Sequence, residues 1–342
     1  MKTPPGRPVG GIGVPFKNFS KIRIVDFSRL LPGPYATQVL ADMGCKVTRV
    51  ELPYFADMTR ELPPLIDGVG ATYWMINQGK KRLLLDFRKP AGLKKARALI
   101  AKADVLVESF RPGVMEKSGL GYEELRRLNP RLVYCSLAGY PEGDWEKKAG
   151  HDLNFLAMSG MLALGDSEGK ISFPAAQFAD LSGSMAAVSG ILAGLLESRA
   201  RGRGRHLKIS LAASIHSWLT IPLASWAATG KETAPRSEWW NGAHPFYRLY
   251  PTKDARHLAV AALEPVFYRS LLDALDLGSL KELAGDARAN AGALSAALAE
   301  KFASATMTEW ESRLAGKDLC VTPVLSLGES ARLWGSTRPS RT

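Results

Sequence analysis

Three side chains that could move a proton stand where helices are predicted to begin. His151 precedes the helical run at 152–164, Asp180 precedes the apolar run at 181–199, and Glu264 opens a helix near 265–275. An imidazole and a carboxylate can together remove and return a proton on a weakly acidic carbon. The same positions also suit structural roles, because aspartate is a preferred N-cap and an acid in a first turn complements the helix dipole. The residues alone leave both interpretations open.

In the first half of the chain, elements of predicted strand and helix alternate. Strands are predicted from β-rich runs at 22–27, 46–51, 82–86, 104–108 and 131–137, and helices from periodic runs that begin near 34, 90 and 121. Such alternation predicts a parallel sheet covered by helices, with right-handed crossover connections. We therefore assign the chain to the α/β class.

The second half of the chain does not continue the regular alternation of strands and helices. The strong helix at 181–199 ends in a basic glycine-rich stop, and a strand at 207–211 leads into a Trp-rich stretch that runs to about 240. A hairpin is predicted within 246–263, followed by helices near 265–275, 292–304 and 307–315. These patterns predict a linker at 201–240 and a smaller α+β domain at 241–320.

The composition narrows the function classes. The chain has 342 residues and a formal net charge of +12, which favours a polyanionic partner. The basic residues are scattered and no nucleic-acid-binding motif accompanies them, so we expect a small polyanion rather than nucleic acid. We expect no metal, because the histidines and cysteines show no metal-ligand spacing. An odd number of cysteines and the lack of an apolar leader or membrane-length apolar stretch predict a cytoplasmic protein that is not bound to a membrane.

Several segments, in order over nearly the whole chain, resemble the family III CoA-transferases (the CaiB/BaiF family). They are LLPGPYATQVLADMGCKVTRVE at 30–51, KADVLVESFRPGVMEKSGLGYEEL at 102–125, NPRLVYCSLAGY at 129–140, GHDLNFLAMSGML at 150–162, FADLSGSMAAVSGILAGLLESRARGRG at 178–204, AALEPVFY at 261–268 and CVTPVLSLGE at 320–329. The resemblance implies an interlocked homodimer. It also implies a large Rossmann-like CoA-binding domain at 1–200 that residues 321–342 complete.

Within this family, the chain resembles the branch that racemises 2-methylacyl-CoA thioesters. Transferase members usually have an aromatic residue at the position of His151 and a GND-type sequence at the position of LEP, 263–265. The resemblance implies that His151 and Asp180 are the two bases, one for each face of the α-carbon. It implies that Glu264 orients the imidazole across the subunit boundary, and that no cofactor is needed beyond the CoA moiety of the substrate.

Three basic residues match CoA-binding positions of the family: Arg88, Arg111 and Lys117. The chain departs from related racemases at Leu52, where they often have a basic residue near the adenosine phosphate. Arg49, Lys81 or Arg82 are candidates to compensate for that loss. A second departure is the short basic tail RLWGSTRPSRT, because family members usually continue with more chain.

Two other functions are compatible with the same residues. Asp180 matches the acyl-carrying nucleophile of the transferases, so CoA transfer between carboxylic acids through an Asp180 acyl anhydride is the alternative reaction. A protein that binds acyl-CoA without catalysis is the third hypothesis. The sequence leaves the acyl chain open.

Overall fold

The structure is a computed structural model that describes residues 16–167 and 170–335. These residues form two compact units. Within the described residues, unit 1 comprises 16–163 and 171–220, and unit 2 comprises 164–167, 170 and 221–335.

Thirteen strands are present in the described residues: β1 (Arg23–Asp26), β2 (Lys46–Glu51), β3 (Leu65–Ile66), β4 (Val69–Gly70), β5 (Lys81–Leu84), β6 (Val105–Glu108), β7 (Val133–Ala138), β8 (Asp166–Ser167), β9 (Lys170–Ile171), β10 (Arg205–Ser210), β11 (Tyr247–Pro251), β12 (His257–Ala261) and β13 (Val321–Pro323). The α-helices are α1 (Pro32–Asp42), α2 (Ala71–Met75), α3 (Pro90–Ile100), α4 (Val114–Lys117), α5 (Tyr122–Leu128), α6 (Asp152–Ser159), α7 (Met161–Leu164), α8 (Phe178–Arg201), α9 (Leu211–Ser217), α10 (Thr220–Thr229), α11 (Pro265–Ala274), α12 (Lys281–Ala284), α13 (Ala291–Ala303), α14 (Met307–Leu314) and α15 (Leu327–Leu333).

Unit 1 is built on a six-stranded parallel sheet with the order β10-β7-β6-β1-β2-β5. From β1 the chain first adds β2 and β5 on one side and then β6, β7 and β10 on the other. This reversal makes the boundary between β1 and β6 a topological switch point, where open α/β sheets bind ligands at the carboxyl ends of the strands. The predicted α/β class and parallel sheet are confirmed.

Helices cover both faces of this sheet, and the central strands are therefore buried on both sides. Val105 and Val107 of β6 belong to the apolar cluster that includes residues of α1 and α8. Leu106, between them, belongs to the cluster that includes residues of α3 and α5. This alternation within a continuous apolar run is typical of parallel strands with two covered faces.

Helix α8 crosses the core of unit 1 and brings Asp180 to its first turn. It is long and apolar enough to span a membrane, but half of that window is buried within the protein. Gly183 lets α9 approach, because a Cβ at this position would lie 2.2 Å from Leu211 Cδ2. The helix ends at Gly202, whose left-handed backbone (φ 70°) gives the predicted glycine stop.

Unit 2 contains the antiparallel sheet β11-β12-β13 and its own core, in which Trp310 Nε1 donates a hydrogen bond to Phe302 O at 2.8 Å. The predicted hairpin and the three following helices are present as β11, β12, α11, α13 and α14. The family resemblance implies that residues 321–342 complete the large domain. In the described part of this range, β13 pairs with β12 in unit 2. Residues 336–342 and the first 15 residues lie outside the described residues.

Two local predictions differ from the structure. The helix predicted at 152–164 is interrupted at Gly160, whose φ of 90° ends α6 before α7 begins. Within the predicted linker at 201–240, the strand predicted at 207–211 is present as β10, the edge strand of the large sheet. The stretch that follows β10 contains the helices α9 and α10, which were not predicted.

Candidate active site and nucleotide cleft

A narrow cleft, with about 10 Å³ of free space, lies at the carboxyl ends of β1, β2, β5 and β6, on both sides of the switch point. Phe27 follows β1, Leu52 follows β2, Phe87 follows β5 and Phe110 follows β6, and all four line the cleft with Arg29. The rings of Phe27 and Phe87 lie 5.3 Å apart, and those of Phe87 and Phe110 lie 6.2 Å apart. Three aromatic rings thus bring together loops that follow different strands.

Of the three basic residues predicted to bind CoA, two lie beside this cleft and the third does not. Arg88 and Arg111 directly follow two of the lining phenylalanines, and both side chains are exposed. The Arg88 guanidinium lies 5.8 Å from the ring centre of Tyr54. Lys117 is the exposed last residue of α4 and is not among the residues that line the cleft. None of the three forms an ion pair with an acidic residue within the described part of the chain, so each is available to an anion.

Arg29 is a residue that sequence analysis missed. Its guanidinium lies 3.9 Å from the ring centre of Phe55, and Nη2 donates a hydrogen bond to Ala56 O at 2.9 Å. Its Nε is buried and has no partner within the described residues. Burial lowers the pKa of Arg29. An incompletely paired arginine in an aromatic-lined cleft is suited to an anionic group, and only its position after β1 could have indicated it.

The Leu52 departure has a structural explanation. Leu52 is buried in the apolar cluster that includes α3 and α5, so this position supplies packing. Arg49 cannot compensate for a lost phosphate ligand, because it is buried, with Nε 2.8 Å from Glu51 Oε1 and Nη2 2.6 Å from Asp57 Oδ2. Arg82 is also occupied, with Nε 2.6 Å from Glu51 Oε2. Lys81 remains exposed at the start of β5.

His151 is the N-cap residue of α6, as predicted, and its side chain is exposed. Its backbone N–H donates to Asn154 Oδ1 at 3.0 Å. The preceding Gly150 is packed so closely that a Cβ there would lie 2.7 Å from the Tyr140 hydroxyl and 2.8 Å from the Phe155 ring. The imidazole is therefore carried on a tightly packed turn.

Asp152 joins this turn to the start of α8. Its Oδ1 accepts the N–H groups of Ala179 at 2.8 Å and Asp180 at 3.0 Å. The structure thus brings the backbone of the two predicted bases together, since Asp152 is next to His151 in the chain. Ser184 Oγ, one turn into α8, lies 2.7 Å from both Asp180 O and Pro32 O. This contact ties the same turn to the start of α1, three residues after Arg29.

The structure changes the interpretation of Asp180. The helix begins at Phe178 after the N-cap Gln177, so Asp180 is a first-turn residue and not the N-cap. The N–H groups that could have held its carboxylate donate to Asp152 instead. The Asp180 carboxylate makes no hydrogen bond or ion pair within residues 16–167 and 170–335. Burial, together with the negative charge of Asp152, raises the pKa of Asp180 to about 7.

Comparisons with known proteins identify the family to which this chain belongs. The sequence profile of CoA-transferase family III matches residues 19–333. The chain belongs to this family. It is 35% identical to the alpha-methylacyl-CoA racemase of Mus musculus over 318 residues, which cover 90% of this chain and 78% of the relative. It is 30% identical to the succinyl-CoA:glutarate CoA-transferase of the same species, over 91% of this chain and 73% of the relative.

The fold agrees with the family assignment. A CaiB/BaiF family protein from Brucella suis superposes with a TM-score of 0.79 at 28% identity, and the match covers 91% of this chain and 85% of that one. In this family III member, Glu264 is the N-cap residue of α11 in unit 2, directly before Pro265. Its predicted contact with His151 of another subunit stays a prediction. No cluster of three or more potential metal ligands occurs among the described residues.

Proposed function

We propose that this family III protein racemises 2-methylacyl-CoA thioesters by moving the α-proton between the two faces of the carbon. The observation that carries the proposal is the Asp180 carboxyl group, which is unpaired within the described residues, has a pKa raised to about 7, and is linked through Asp152 to the turn of His151. A carboxylate with a pKa near neutrality is suited to both accept and return a proton. The identity to the mouse racemase supports this choice of reaction.

In the proposed reaction, one base removes the α-proton and an enolate forms at the thioester oxygen. The conjugate acid of the other base then delivers a proton to the opposite face, and the thioester is restored with inverted configuration. His151 and Asp180 take these roles in turn, depending on the epimer bound. Positive partial charge at the start of α6 would stabilise the developing oxyanion, and each well-placed donor to such an oxygen is worth about 3–4 kcal/mol.

The nucleotide part of CoA is assigned to the outer rim of the cleft at the switch point, because the cleft itself has only about 10 Å³ of free space. At this rim, the exposed guanidinium groups of Arg88 and Arg111, beside Arg29, would bind the phosphates. In this proposal, Arg29 takes the place of the basic residue that is absent at position 52. Lys117 is assigned to a phosphate further along the cofactor. The reaction uses no cofactor other than this CoA moiety.

CoA transfer is the second candidate. The same unpaired carboxylate could attack a thioester carbonyl, release the CoA thiolate and carry the acyl group as an anhydride. The 30% identity to a succinyl-CoA:glutarate CoA-transferase supports this alternative. His151, rather than an aromatic residue, is the reason for preferring racemisation.

The deciding experiment incubates each pure epimer of a 2-methylacyl-CoA with the protein in deuterated water and follows α-deuteration by NMR. Racemisation predicts label in both epimers. His151→Ala should slow exchange from one epimer by at least about 100-fold, and Asp180→Asn should do so from the other, because a general base contributes about 10²–10⁴-fold. His257→Ala, at an exposed histidine in unit 2, is the matched control and should change neither rate.

The alternative outcomes are separable. Absence of label from a range of acyl groups, or equal mild effects of both substitutions, would contradict racemisation. Hydroxylamine trapping of an acyl group on Asp180, without α-deuteration, would instead establish CoA transfer. The homodimer, the role of Glu264 and the cytoplasmic location belong to the same proposal. Crosslinking of a Glu264→Cys variant to a His151→Cys variant would test the contact between subunits.

A further inference from the structure

Exposed basic residues gather at the amino ends of the strands in the parallel sheet of unit 1. β1 begins with Arg23 and β2 with Lys46, and the register makes these two residues direct neighbours. Lys102 lies shortly before β6, Arg131 before β7 and Arg203 before β10. All five are exposed, and none forms an ion pair with an acidic side chain within the described residues. We call the surface around these five residues the basic edge.

Backbone hydrogen bonds hold the segments of the basic edge side by side. The Asp104 N–H donates to Arg23 O at 2.9 Å, and the Gly204 N–H donates to Pro130 O at 2.7 Å. These bonds place the start of β6 beside that of β1, and the start of β10 beside that of β7. Basic residues that are scattered along the sequence thus meet at one end of the sheet, opposite to the carboxyl ends that form the cleft.

The positive charge of the basic edge exceeds what its own elements require. The segments that meet there contain ten basic and three acidic residues: 17–23, 42–46, 102–104, 129–131 and 197–205. Helices α1, α3, α5 and α8 end at this edge, and each helix C-terminus has a partial charge of about −0.5 that basic residues complement. Four helix ends offset only about two of the surplus positive charges. Most of the surplus is therefore left for a partner that is itself a polyanion.

Apolar side chains are exposed at the same edge. Phe16 is 53% exposed, and its N–H donates to Met43 O, just after α1, at 2.8 Å. Its ring packs against that of Phe19, with centres 5.1 Å apart. Leu128, the last residue of α5, is 39% exposed. Clustered basic residues next to exposed phenylalanine and leucine side chains are typical of surfaces that bind anionic lipids.

Nucleic acid fits these features less well than lipid does. Proteins bind single-stranded nucleic acid through several aromatic rings on which successive bases stack. Among the described residues of the basic edge, Phe16 is the one exposed aromatic residue. A duplex is read by a helix or a β-ribbon that enters a groove, whereas the helices at this edge only end there.

We propose that the basic edge binds this protein to an anionic lipid bilayer. Lipid phosphates would pair with the arginines and lysines, and Phe16 would enter the interface between the headgroups and the acyl chains. The cleft at the other end of the sheet would then face away from the bilayer. Such peripheral binding is compatible with the proposed cytoplasmic location, but it differs from the expectation that the protein does not bind a membrane.

The proposal is tested by sedimentation of the full-length protein with phosphatidylcholine vesicles that contain about 30% phosphatidylglycerol. Pure phosphatidylcholine vesicles are the neutral probe, and we expect them to bind at least about tenfold more weakly, because they lack the anionic headgroups. A triple variant of the basic edge should weaken binding to the anionic vesicles by at least about tenfold: Lys46→Gln, Arg131→Gln and Arg203→Gln.

The matched control removes the same three charges from exposed positions of unit 2. It consists of Arg269→Gln, Arg288→Gln and Lys317→Gln, and it should leave vesicle binding unchanged. If the triple variant of the basic edge fails to fold, the double variant Arg199→Gln, Arg203→Gln should weaken binding severalfold. Absence of binding to the anionic vesicles, equal binding to the neutral ones, or equal losses in the variant and its control would each overturn the proposal.

Phe16→Ser separates lipid from other polyanions. It removes an exposed ring without changing the charge, so it should weaken vesicle binding severalfold. Unchanged binding would show that the edge responds to charge alone and would overturn the proposal. Tighter binding of a DNA duplex or of a single-stranded oligonucleotide than of the anionic vesicles would assign the edge to nucleic acid and would also overturn it. None of these results depends on the reaction that the protein catalyses.

Discussion

Asp152 and Asp180 are neighbouring carboxyl groups with different hydrogen bonding. Asp152 accepts two backbone N–H groups, whereas Asp180 accepts none within the described residues. Burial raises the pKa of Asp152, and its two hydrogen bonds offset part of that rise, whereas Asp180 has no such compensation. Asp152, which is bound by the N–H groups at the start of α8, therefore has a structural role. Asp180, which these groups do not bind, is the better candidate for proton transfer.

This difference predicts the pH dependence of α-deuteration by Asp180. Because the pKa of Asp180 is raised to about 7, the base is protonated below that pH, and the rate from its epimer should rise as the pH increases through about 7. Asp152→Asn keeps the Oδ1 acceptor but removes the negative charge that raises the pKa. The rising limb should therefore move to lower pH, by roughly one unit. The measurement is the initial deuteration rate between pH 5 and pH 9.

The control for this profile is Asp144→Asn, which removes an exposed aspartate from the loop before His151. It should not change the pH at which the deuteration rate rises. A limb that does not move in Asp152→Asn, while the rate at high pH is retained, would show that Asp152 does not tune Asp180.

At the scale of elements, the turn before α6 gives a prediction about how His151 is positioned. A Cβ at Gly150 would lie 2.7 Å from the Tyr140 hydroxyl and 2.8 Å from the Phe155 ring, so Gly150→Ala must displace the turn. We expect about 1–3 kcal/mol of lost stability and at least a tenfold loss of deuteration from the His151 epimer. Adding Tyr140→Phe, which removes the hydroxyl, should restore part of the rate.

Thermal unfolding and the deuteration assay measure the two effects of Gly150→Ala separately. Gly292→Ala is the matched control, because a Cβ there meets nothing within 4 Å and alanine is the better helix former. Full activity of Gly150→Ala would mean that the packing of this turn does not position the imidazole.

The elements themselves were largely predictable where the pattern was local. β2 was predicted over its observed bounds, and α3, α5 and α11 begin within one residue of prediction. The start of α8 was misplaced by three residues because Asp180 has the side chain of an N-cap, while the acceptor that satisfies the helix start belongs to Asp152. Helices α9 and α10 were missed because α9 is only seven residues long and α10 has no buried residues that would mark one face. β13 is three residues long and depends on pairing with β12, which no local pattern reveals.

The same distinction, between local patterns and contacts distant in the sequence, applies to the site residues. His151 was predicted to precede a helix and Glu264 to open one, and both are N-cap residues. Arg29 could not be predicted to line the cleft, because its partner ring, Phe55, and its acceptor, Ala56, come from the loop after another strand.

At the scale of the whole molecule, the two units have separate apolar cores, and all residues assigned to CoA lie in unit 1. Free CoA should therefore increase protection from hydrogen exchange first in unit 1, in peptides that contain Arg29, Arg88 and Arg111. At 100 times its dissociation constant, CoA should stabilise the unit that binds it by about 2.7 kcal/mol. Peptides from the core of unit 2 around Phe302 and Trp310 should change little. Mass spectrometry of exchange with and without CoA measures both sets at once.

Matched arginine substitutions make this a test of the cleft and not only of the unit. Arg29→Gln should lower the protection that a fixed CoA concentration gives, because it removes a guanidinium from the carboxyl end of β1. Arg23→Gln, at an exposed position on the amino end of the same strand, removes an identical charge and should leave the protection intact. Equal losses in the two variants would mean that CoA responds to the net positive charge of the protein. Such a result would contradict the proposal that the loops after β1, β5 and β6 bind the nucleotide of CoA.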